Sequence, residues 1–309
     1  MKDSYTLADL QHWREVTAGE DVPIRLGVFG DPVVHSRSPE MQNAALAASG
    51  LQARYARFHI SAEELQAALK LLPPLGFQGV NLTIPHKSRA AAFMDELDEF
   101  ARAAGAVNTV SVEDGRLIGI NTDGPGFSRA IRSEFSVDLR DLRVLVLGAG
   151  GGAGRAIAMQ CARENCERLV LVNRMTDKAE RLAEELTPFF AEARVAGPVP
   201  RLEAITWDER SLRAQIANID LVVNATPLGM KRTDPPAVAS ALLAPHLMVY
   251  ETIYAPLRTP LLAAAAESGA RGANGLSMLL HQGALAFEIW FDREAPLAEM
   301  RAALASAAG

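Results

Sequence analysis

Cysteine is nearly absent from this sequence, with two residues in 309, and aromatic residues make up only 6%. Two cysteines are too few for a disulfide framework, and the spacing of Cys161 and Cys166 is not that of a metal site. The sequence also lacks a run of about 18 apolar residues, so no membrane-spanning helix is predicted. Four acidic residues among the first twenty replace the apolar core of a secretory signal peptide. We therefore expect a cytoplasmic protein with no metal ion and no membrane partner.

Positively charged residues are fewer than negatively charged ones. The sequence has 31 lysines and arginines and 37 aspartates and glutamates, which gives a net charge of −6. Nucleic-acid-binding proteins usually carry a basic face, so no nucleic-acid partner is expected. What is present has the proportions of a folded globular protein, with 49% apolar and 22% charged residues. A chain of this length allows two domains.

Helical and strand-like segments alternate along the chain, which is the pattern of an α/β protein with parallel sheets. A second unit begins after about Asp123, and both cysteines are expected on one helix. The predicted strands are 25–30, 54–60, 78–84, 143–147, 168–172, 219–223, 247–250 and 270–273, with a hairpin of 106–112 and 116–120 across Asp114-Gly115. The predicted helices are 38–49, 62–72, 95–104, the segment from the glycine-rich loop to about 164, 176–190, 276–291 and 296–307.

A glycine-rich loop, GAGGGAG at 148–154, follows the apolar strand 143–147 and opens a helix. In that position glycine permits a tight turn and lets the backbone approach a pyrophosphate, which the helix N-terminus then favours. The sequence therefore predicts a dinucleotide site, with a simple packing turn as the alternative.

The next strand ends in Asn173-Arg174, and Lys178 follows four residues later. NAD-selective sites usually carry an acidic residue there to accept the ribose 2′-hydroxyl. Cations in its place favour a 2′-phosphate, because arginine pairs bidentately with phosphate. The prediction is NADP rather than NAD, with two solvated cations as the alternative.

Four segments of the first half are unusually polar: HSRSP at 35–39, NLTIPHK at 81–87, GAVNT at 105–109 and NTDG at 121–124. Ser36 and Ser38 begin a predicted helix, where a carboxylate could bind, although helix capping alone would explain Ser38. Lys87 follows a strand end, where ligands of open α/β sheets gather, but a lone lysine there is often only solvated. Lys87 and Asp123 are candidates for a proton-exchanging pair.

Taken together, the segments resemble shikimate dehydrogenase from about Leu26 to Leu304. Besides the segments above, the family's motifs occur in order as NTDGPG at 121–126, the glycine-rich loop, NR at 173–174, NATPLGM at 224–230, YAPLRTPLL at 254–262 and NGLSMLLHQGALAFEIW at 274–290. The resemblance implies an N-terminal α/β substrate domain and a Rossmann-type NADP-binding domain, with the active site in the groove between them. The C-terminal helices would return to the first domain, giving 1–122 plus 275–309 and 123–274.

The resemblance also implies the NADP-dependent, reversible reduction of 3-dehydroshikimate to shikimate in chorismate and aromatic amino-acid biosynthesis, by a monomer or homodimer. It makes Lys87 and Asp123 the catalytic pair. It implies substrate contacts by Ser36, Ser38, Thr83, Asn108, Thr122, Tyr254 and Gln282. It implies cofactor contacts by Gly148, Gly150, Gly151, Gly152, Ala153, Asn173, Arg174, Lys178, Thr226, Met230 and Gly275.

Three features depart from the family pattern. The glycine-rich loop is one residue longer, Glu251 stands where aspartate is more usual, and about twenty residues with Trp13 precede the matching region as an expected packing helix. The alternatives are a quinate or aminoshikimate paralogue, with either NAD or NADP as its cofactor, and a ligand sensor without catalysis. The NADP-dependent shikimate dehydrogenase is the favoured interpretation, because Ser36, Ser38, Arg174 and Lys178 are all present. The presence of both Lys87 and Asp123 argues against a ligand sensor.

Overall fold

The computed structural model describes residues 2–191, 199–231 and 233–308. The chain forms two compact units, Met1–Thr122 with Leu279–Gly309, and Asp123–Met278. The second boundary falls after Met278 rather than Asn274, because the intervening residues bond to the second unit. Gly275 N donates to Ile253 O over 3.1 Å, and Met278 N donates to Tyr250 Oη over 3.0 Å.

The first unit contains six strands and seven complete α-helices among its described residues. The strands are β1 (Ile24–Gly30), β2 (Arg54–His59), β3 (Gly79–Leu82), β4 (Glu96–Leu97), β5 (Thr109–Glu113) and β6 (Arg116–Ile120). The helices are α1 (Leu7–Gln11), α2 (Trp13–Val16), α3 (Ser38–Ala48), α4 (Leu65–Leu71), α5 (Lys87–Ala90), α6 (Glu99–Ala104) and the C-terminal α13 (Leu297–Ala308).

The second unit holds six further strands, β7 (Arg143–Leu147), β8 (Arg168–Asn173), β9 (Leu202–Thr206), β10 (Leu221–Asn224), β11 (Met248–Glu251) and β12 (Arg271–Ala273). Its helices are α7 (Asp123–Phe135), α8 (Gly152–Arg163), α9 (Thr176–Leu186), α10 (Glu209–Ile216) and α11 (Pro260–Glu267), and it includes the start of α12 (Leu276–Phe291). The long apolar strand β7 and the helix α12 have the bounds that the sequence predicts.

The first sheet has the order β2-β1-β3-β5-β6-β4. Strands β2, β1 and β3 are parallel, whereas β5 runs antiparallel to β3 and to β6. The reversal is at Asp114 (φ 48°) and Gly115 (φ 78°), the paired positive φ values of a two-residue hairpin turn. Both faces of β1 are covered, since Phe29 packs into one apolar cluster and Leu26 and Val28 into another.

The second sheet is wholly parallel in the order β12-β11-β10-β7-β8-β9. This is the doubly wound order of a Rossmann fold, and its direction of winding reverses between β7 and β10. Every residue of β10 is buried, as expected when helices cover both faces of a parallel sheet. The two-domain α/β fold class is confirmed.

Two local predictions are wrong. The segment 95–104 is not one helix, because Glu96–Leu97 pair with β6 and Asp98 caps a shorter helix by accepting from Ala101 N over 2.6 Å. Cys166 is not on the helix of Cys161, because α8 ends at Arg163 and Asn165 takes a positive φ of 54°. Both cysteines are free and buried.

The N-terminal segment completes the first unit. Tyr5 pairs in parallel with Phe58 of β2, and its N–H donates to Arg57 O over 2.9 Å. The indole of Trp13 then packs among the rings of Tyr5, Phe58 and Phe77 at centroid distances of 5.2, 5.7 and 5.5 Å. The expected packing helix is therefore two short helices that cover an apolar face, while Tyr5 pairs with an edge strand.

Replacing Trp13 by alanine should lower the free energy of unfolding by about 3–5 kcal/mol, because it opens a cavity beside three aromatic rings. Urea denaturation of the wild type and Trp13→Ala measures the difference. His12→Ala is the matched control, since the His12 side chain is 67% exposed and its loss should cost within about 0.5 kcal/mol. Equal midpoints for both variants would show that the segment does not stabilise the fold.

Candidate active site

The loops that follow β1 and β3 lie side by side in the first unit. Asp31 N donates to Ile84 O over 3.0 Å. Because β1 lies between β2 and β3, these loops extend from the carboxyl ends of neighbouring strands, where ligands of open α/β sheets bind. The first loop contains Ser36, and the second contains Thr83, which is half-buried.

Ser38 is the first residue of α3 and is not its N-cap. The N-cap is Arg37, which makes no capping bond with its side chain. Ser36 Oγ instead accepts from Ser38 N over 3.3 Å, and Ser36 O accepts from Arg57 Nε over 3.0 Å. Helix capping therefore does not account for the Ser38 hydroxyl, which belongs to a residue that is 5% exposed.

Lys87 opens α5 directly after the buried His86. The His86 imidazole lies 2.8 Å from Ile60 O through Nε2, and burial lowers the pKa of His86. Lys87 O accepts from Val107 N over 2.8 Å. The half-buried lysine is thus held through its backbone next to the residue that precedes Asn108.

Asn108, Thr122 and Gln282 form one buried hydrogen-bonded cluster in the first unit. Asn108 Nδ2 donates to Thr122 Oγ1 over 2.9 Å and to Gln282 Oε1 over 3.3 Å. Thr122 N donates to Asn108 Oδ1 over 2.7 Å, which fixes the orientation of the Asn108 amide. Asp123, which is 3% exposed, follows Thr122 and begins α7. Three residues predicted to bind substrate therefore converge from distant segments.

Sequence reasoning missed three polar residues that support this cluster. Tyr55, Asn81 and Thr109 lie on strands or at a strand start and are all buried. A polar residue at a core position of a strand was the available signal, because such a group must be hydrogen-bonded.

In the second unit the glycine-rich loop connects β7 to α8 at the reversal of winding. Gly148 and Gly150 have φ values of +83° and +94°, which favour glycine. A Cβ on Gly148 would stand 2.5 Å from Thr226 Cγ2, so a side chain has no room there. Thr226 thus lies directly against the loop.

The helix α8 begins at Gly152 with Gly151 as its N-cap. The first N–H groups of an α-helix have no intrahelical acceptor, so those of Gly152 and Ala153 suit an anion. Arg155, the first basic residue after the loop, forms an ion pair with Glu185. A pyrophosphate fits this cradle through backbone N–H groups.

Asn173, at the end of β8, holds the loop from the side. Its Nδ2 donates to Ala149 O, and its Oδ1 accepts from Met175 N over 3.0 Å. Arg174 and Lys178 are both exposed, and neither forms an ion pair with another residue in the described ranges. The carboxylate of the nearby Asp177 pairs instead with Arg181 over 2.5 Å. This donor set suits an anionic 2′-phosphate.

A buried polar network lies under the loop after β10. Asn224 Nδ2 donates to both carboxylate oxygens of Glu251 over 3.0 Å, and Thr226 Oγ1 donates to Asn224 Oδ1 over 2.7 Å. Thr259 Oγ1 also donates to Glu251 over 3.1 Å. The second unit therefore accommodates glutamate at position 251, although its side chain is longer than that of the aspartate more usual in the family.

The remaining predicted residues of the second unit lie on its loops. Met230 follows the network and is 56% exposed, and Tyr254 is half-buried in the loop after β11. Gly275 precedes α12 and bonds to Ile253 O.

Burial raises the pKa of Glu251 to about 7, although the bonds from Asn224 and Thr259 act in the opposite direction. An unfolded glutamate titrates near pH 4.3. The contribution of Glu251 to stability is therefore complete below about pH 4 and is lost as the pH rises through about 7.

Replacing Glu251 by glutamine removes this titration. Between about pH 4 and pH 8 the free energy of unfolding of the wild type should fall relative to Glu251→Gln by on the order of 3 kcal/mol. Denaturant unfolding across that range measures the difference. The exposed Glu113 provides the control, since Glu113→Gln should track the wild type at each pH. Parallel pH profiles for Glu251→Gln and the wild type would contradict the raised pKa.

In the part of the chain that the structure describes, no helix is both long and apolar enough to cross a membrane. The same residues contain no cluster of three or more His, Cys, Asp or Glu side chains that could hold a metal ion.

Three family profiles match the chain. They are described as the shikimate dehydrogenase substrate binding domain over residues 28–110, shikimate / quinate 5-dehydrogenase over 129–229, and the shikimate 5′-dehydrogenase C-terminal domain over 275–305. Together they extend over both units.

Individual relatives agree with the profiles. The shikimate dehydrogenase (NADP(+)) of Symbiobacterium thermophilum is 44% identical over 287 residues, which are 92% of this chain and 95% of the relative. The structure of shikimate 5-dehydrogenase from Thermus thermophilus in complex with NADP(H) and shikimate has a TM-score of 0.80 at 35% identity, covering 92% of this chain and 99% of that one. Quinate dehydrogenase from Corynebacterium glutamicum in complex with NAD has a TM-score of 0.81 at 31% identity, covering 93% and 100%. The motifs, the two-unit α/β fold and these similarities place the chain in the shikimate dehydrogenase family.

Proposed function

We propose that this chain catalyses the reversible reduction of 3-dehydroshikimate to shikimate with NADPH, a step of chorismate and aromatic amino-acid biosynthesis. The observation that carries the proposal is the buried cluster of Asn108, Thr122 and Gln282 in the first unit. Amide and hydroxyl groups of this kind recognise ring hydroxyls, and Lys87 is held next to them through Val107.

The polar residues of the first unit have complementary roles in this proposal. Ser36 and Ser38 bind the substrate carboxylate at the start of α3, where the helix dipole favours an anion. Thr83 joins the cluster in binding the ring hydroxyls. The half-buried Tyr254 of the second unit adds a further substrate contact.

Lys87 and Asp123 are the proposed catalytic pair. In the reductive direction the protonated Lys87 gives its proton to the carbonyl oxygen as the carbonyl carbon becomes a secondary alcohol. In the oxidative direction Lys87 removes the hydroxyl proton. Asp123, at the N-terminus of α7, is the second member of the proposed pair.

The residues of the second unit fit NADP. Gly148, Gly150, Gly151, Gly152 and Ala153 would hold the pyrophosphate, with Thr226 as a further cofactor contact beside the glycine-rich loop. The adenosine 2′-phosphate would be held by Asn173, Arg174 and Lys178, and the residues near the nicotinamide would be Met230 and Gly275. When bound, the reduced cofactor supplies the hydride. Within the described ranges Arg174 and Lys178 have no ion-pair partner, which supports NADP over NAD.

We also propose that the enzyme is cytoplasmic and acts as a monomer or homodimer. Free, buried cysteines are typical of proteins that fold in a reducing compartment.

Absorbance at 340 nm tests the proposal, with shikimate or quinate each paired with NADP⁺ or NAD⁺. Turnover that is fast only with shikimate and NADP⁺ is expected. Preference for quinate or NAD⁺ would make the chain a specialised paralogue of the same fold, of the quinate or aminoshikimate type. Binding without turnover in any pairing would make it a sensor.

A further inference from the structure

Tyr55 is a fully buried tyrosine near the start of β2, outside the set of residues with proposed substrate contacts. Its exposure is 0%, and its ring packs against Trp290 at a centroid distance of 6.2 Å within an apolar cluster. Phenylalanine would fill almost the same volume there. The hydroxyl group is what distinguishes tyrosine, and a buried hydroxyl requires partners.

The Tyr55 hydroxyl donates to Asn81 Oδ1 over 2.8 Å. The Asn81 Nδ2 donates to Asn108 O, because a carbonyl oxygen can only accept a hydrogen bond. The Asn81 Oδ1 must therefore face the Tyr55 hydroxyl. The single proton of the Tyr55 hydroxyl therefore goes to Asn81.

From Asn81 the hydrogen bonds continue to the buried cluster. Asn81 Nδ2 donates to Thr109 Oγ1 over 3.0 Å, and Thr109 Oγ1 donates to Asn108 Oδ1 over 3.2 Å. Asn108 Nδ2 then donates to Gln282 Oε1. Tyr55 thus lies at one end of a chain of hydrogen bonds that leads to the amides proposed to bind ring hydroxyls.

We propose that Tyr55 is a positioning residue that, through Asn81 and Thr109, holds the Asn108 amide in the orientation that binds a ring hydroxyl of the substrate. The inference rests on the proposed function. Tyr55 itself, packed in the apolar cluster, acts through its neighbours.

Tyr55→Phe tests this role by removing one oxygen atom while keeping the ring. The KM for shikimate should rise about tenfold, the factor that corresponds to about 1.4 kcal/mol. The KM for NADP⁺ and the kcat should stay within about twofold, because the lost contacts affect shikimate equally in ground and transition states. Tyr5→Phe is the matched control, since Tyr5 is also a buried tyrosine of the first unit and is 1% exposed. It should leave both KM values unchanged.

A double-mutant cycle separates positioning from general destabilisation. If Tyr55 acts through Asn108, then Tyr55→Phe adds little to the shikimate KM of Asn108→Ala. Fully additive effects, an equal rise in both KM values, or an unchanged shikimate KM in a folded Tyr55→Phe protein would overturn the inference. If Tyr55→Phe does not fold, Asn81→Ala removes the acceptor instead and must raise the shikimate KM at least as much. Absence of turnover by the wild type would overturn the proposed function and this inference with it, whereas wild-type turnover with a null result overturns the inference alone.

Discussion

Lys87→Ala should lower kcat for shikimate oxidation about 10²–10⁴-fold, the usual contribution of a group that transfers the proton. The KM values for shikimate and NADP⁺ should change much less, because Lys87 acts mainly as the proton carrier in the reacting step. Initial rates at 340 nm with purified protein measure both quantities. The backbone contact from Val107 to Lys87 O does not depend on the side chain, so the local fold should persist.

Lys70 provides the control for this variant. It is an exposed lysine in the last turn of α4 in the same unit, so Lys70→Ala changes charge equally and should retain wild-type kcat. A Lys87→Ala protein that is folded and keeps kcat within about threefold would show that Lys87 does not transfer the proton.

The double variant Arg174→Ala/Lys178→Ala should raise the KM for NADP⁺ about 10- to 100-fold. Hydrogen bonds to charged groups contribute about 1.5–3 kcal/mol each, and exposure to solvent reduces that value for these two side chains. The KM for NAD⁺, which has no 2′-phosphate, should change less than about twofold. Because the residues are far from the reacting groups in their proposed role, kcat at saturating NADP⁺ should persist.

Arg181→Ala is the comparison for the cofactor variant. Arg181 lies on the same helix as Lys178, but it is paired with Asp177 and has no proposed cofactor contact. Its loss should leave both cofactor KM values unchanged. Equal increases for NADP⁺ and NAD⁺ in the double variant would show that Arg174 and Lys178 do not recognise the 2′-phosphate.

Much of the fold follows from local sequence patterns. Strand β7 and helix α12 have the predicted bounds, because continuous apolar residues and flanking glycine or proline residues act locally. The hairpin at Asp114-Gly115 is equally local, since its turn residues tolerate positive φ. Where a short strand pairs only through distant contacts, as at Glu96–Leu97, local patterning instead predicts a helix.

The sequence by itself therefore determined the α/β class, the glycine-rich loop and the order of the motifs. Only the tertiary structure decided that Asn108 meets Gln282 from 174 residues away, and that the Tyr55 hydroxyl bonds to Asn81. It also decided that Glu251 is buried with a raised pKa. The physical reason is that a hydrogen bond between distant segments, or the loss of water around a carboxylate, depends on which strands become neighbours. Neighbouring strands in these sheets come from separate parts of the chain. A periodic pattern along the sequence therefore cannot predict which of their side chains form hydrogen bonds with one another.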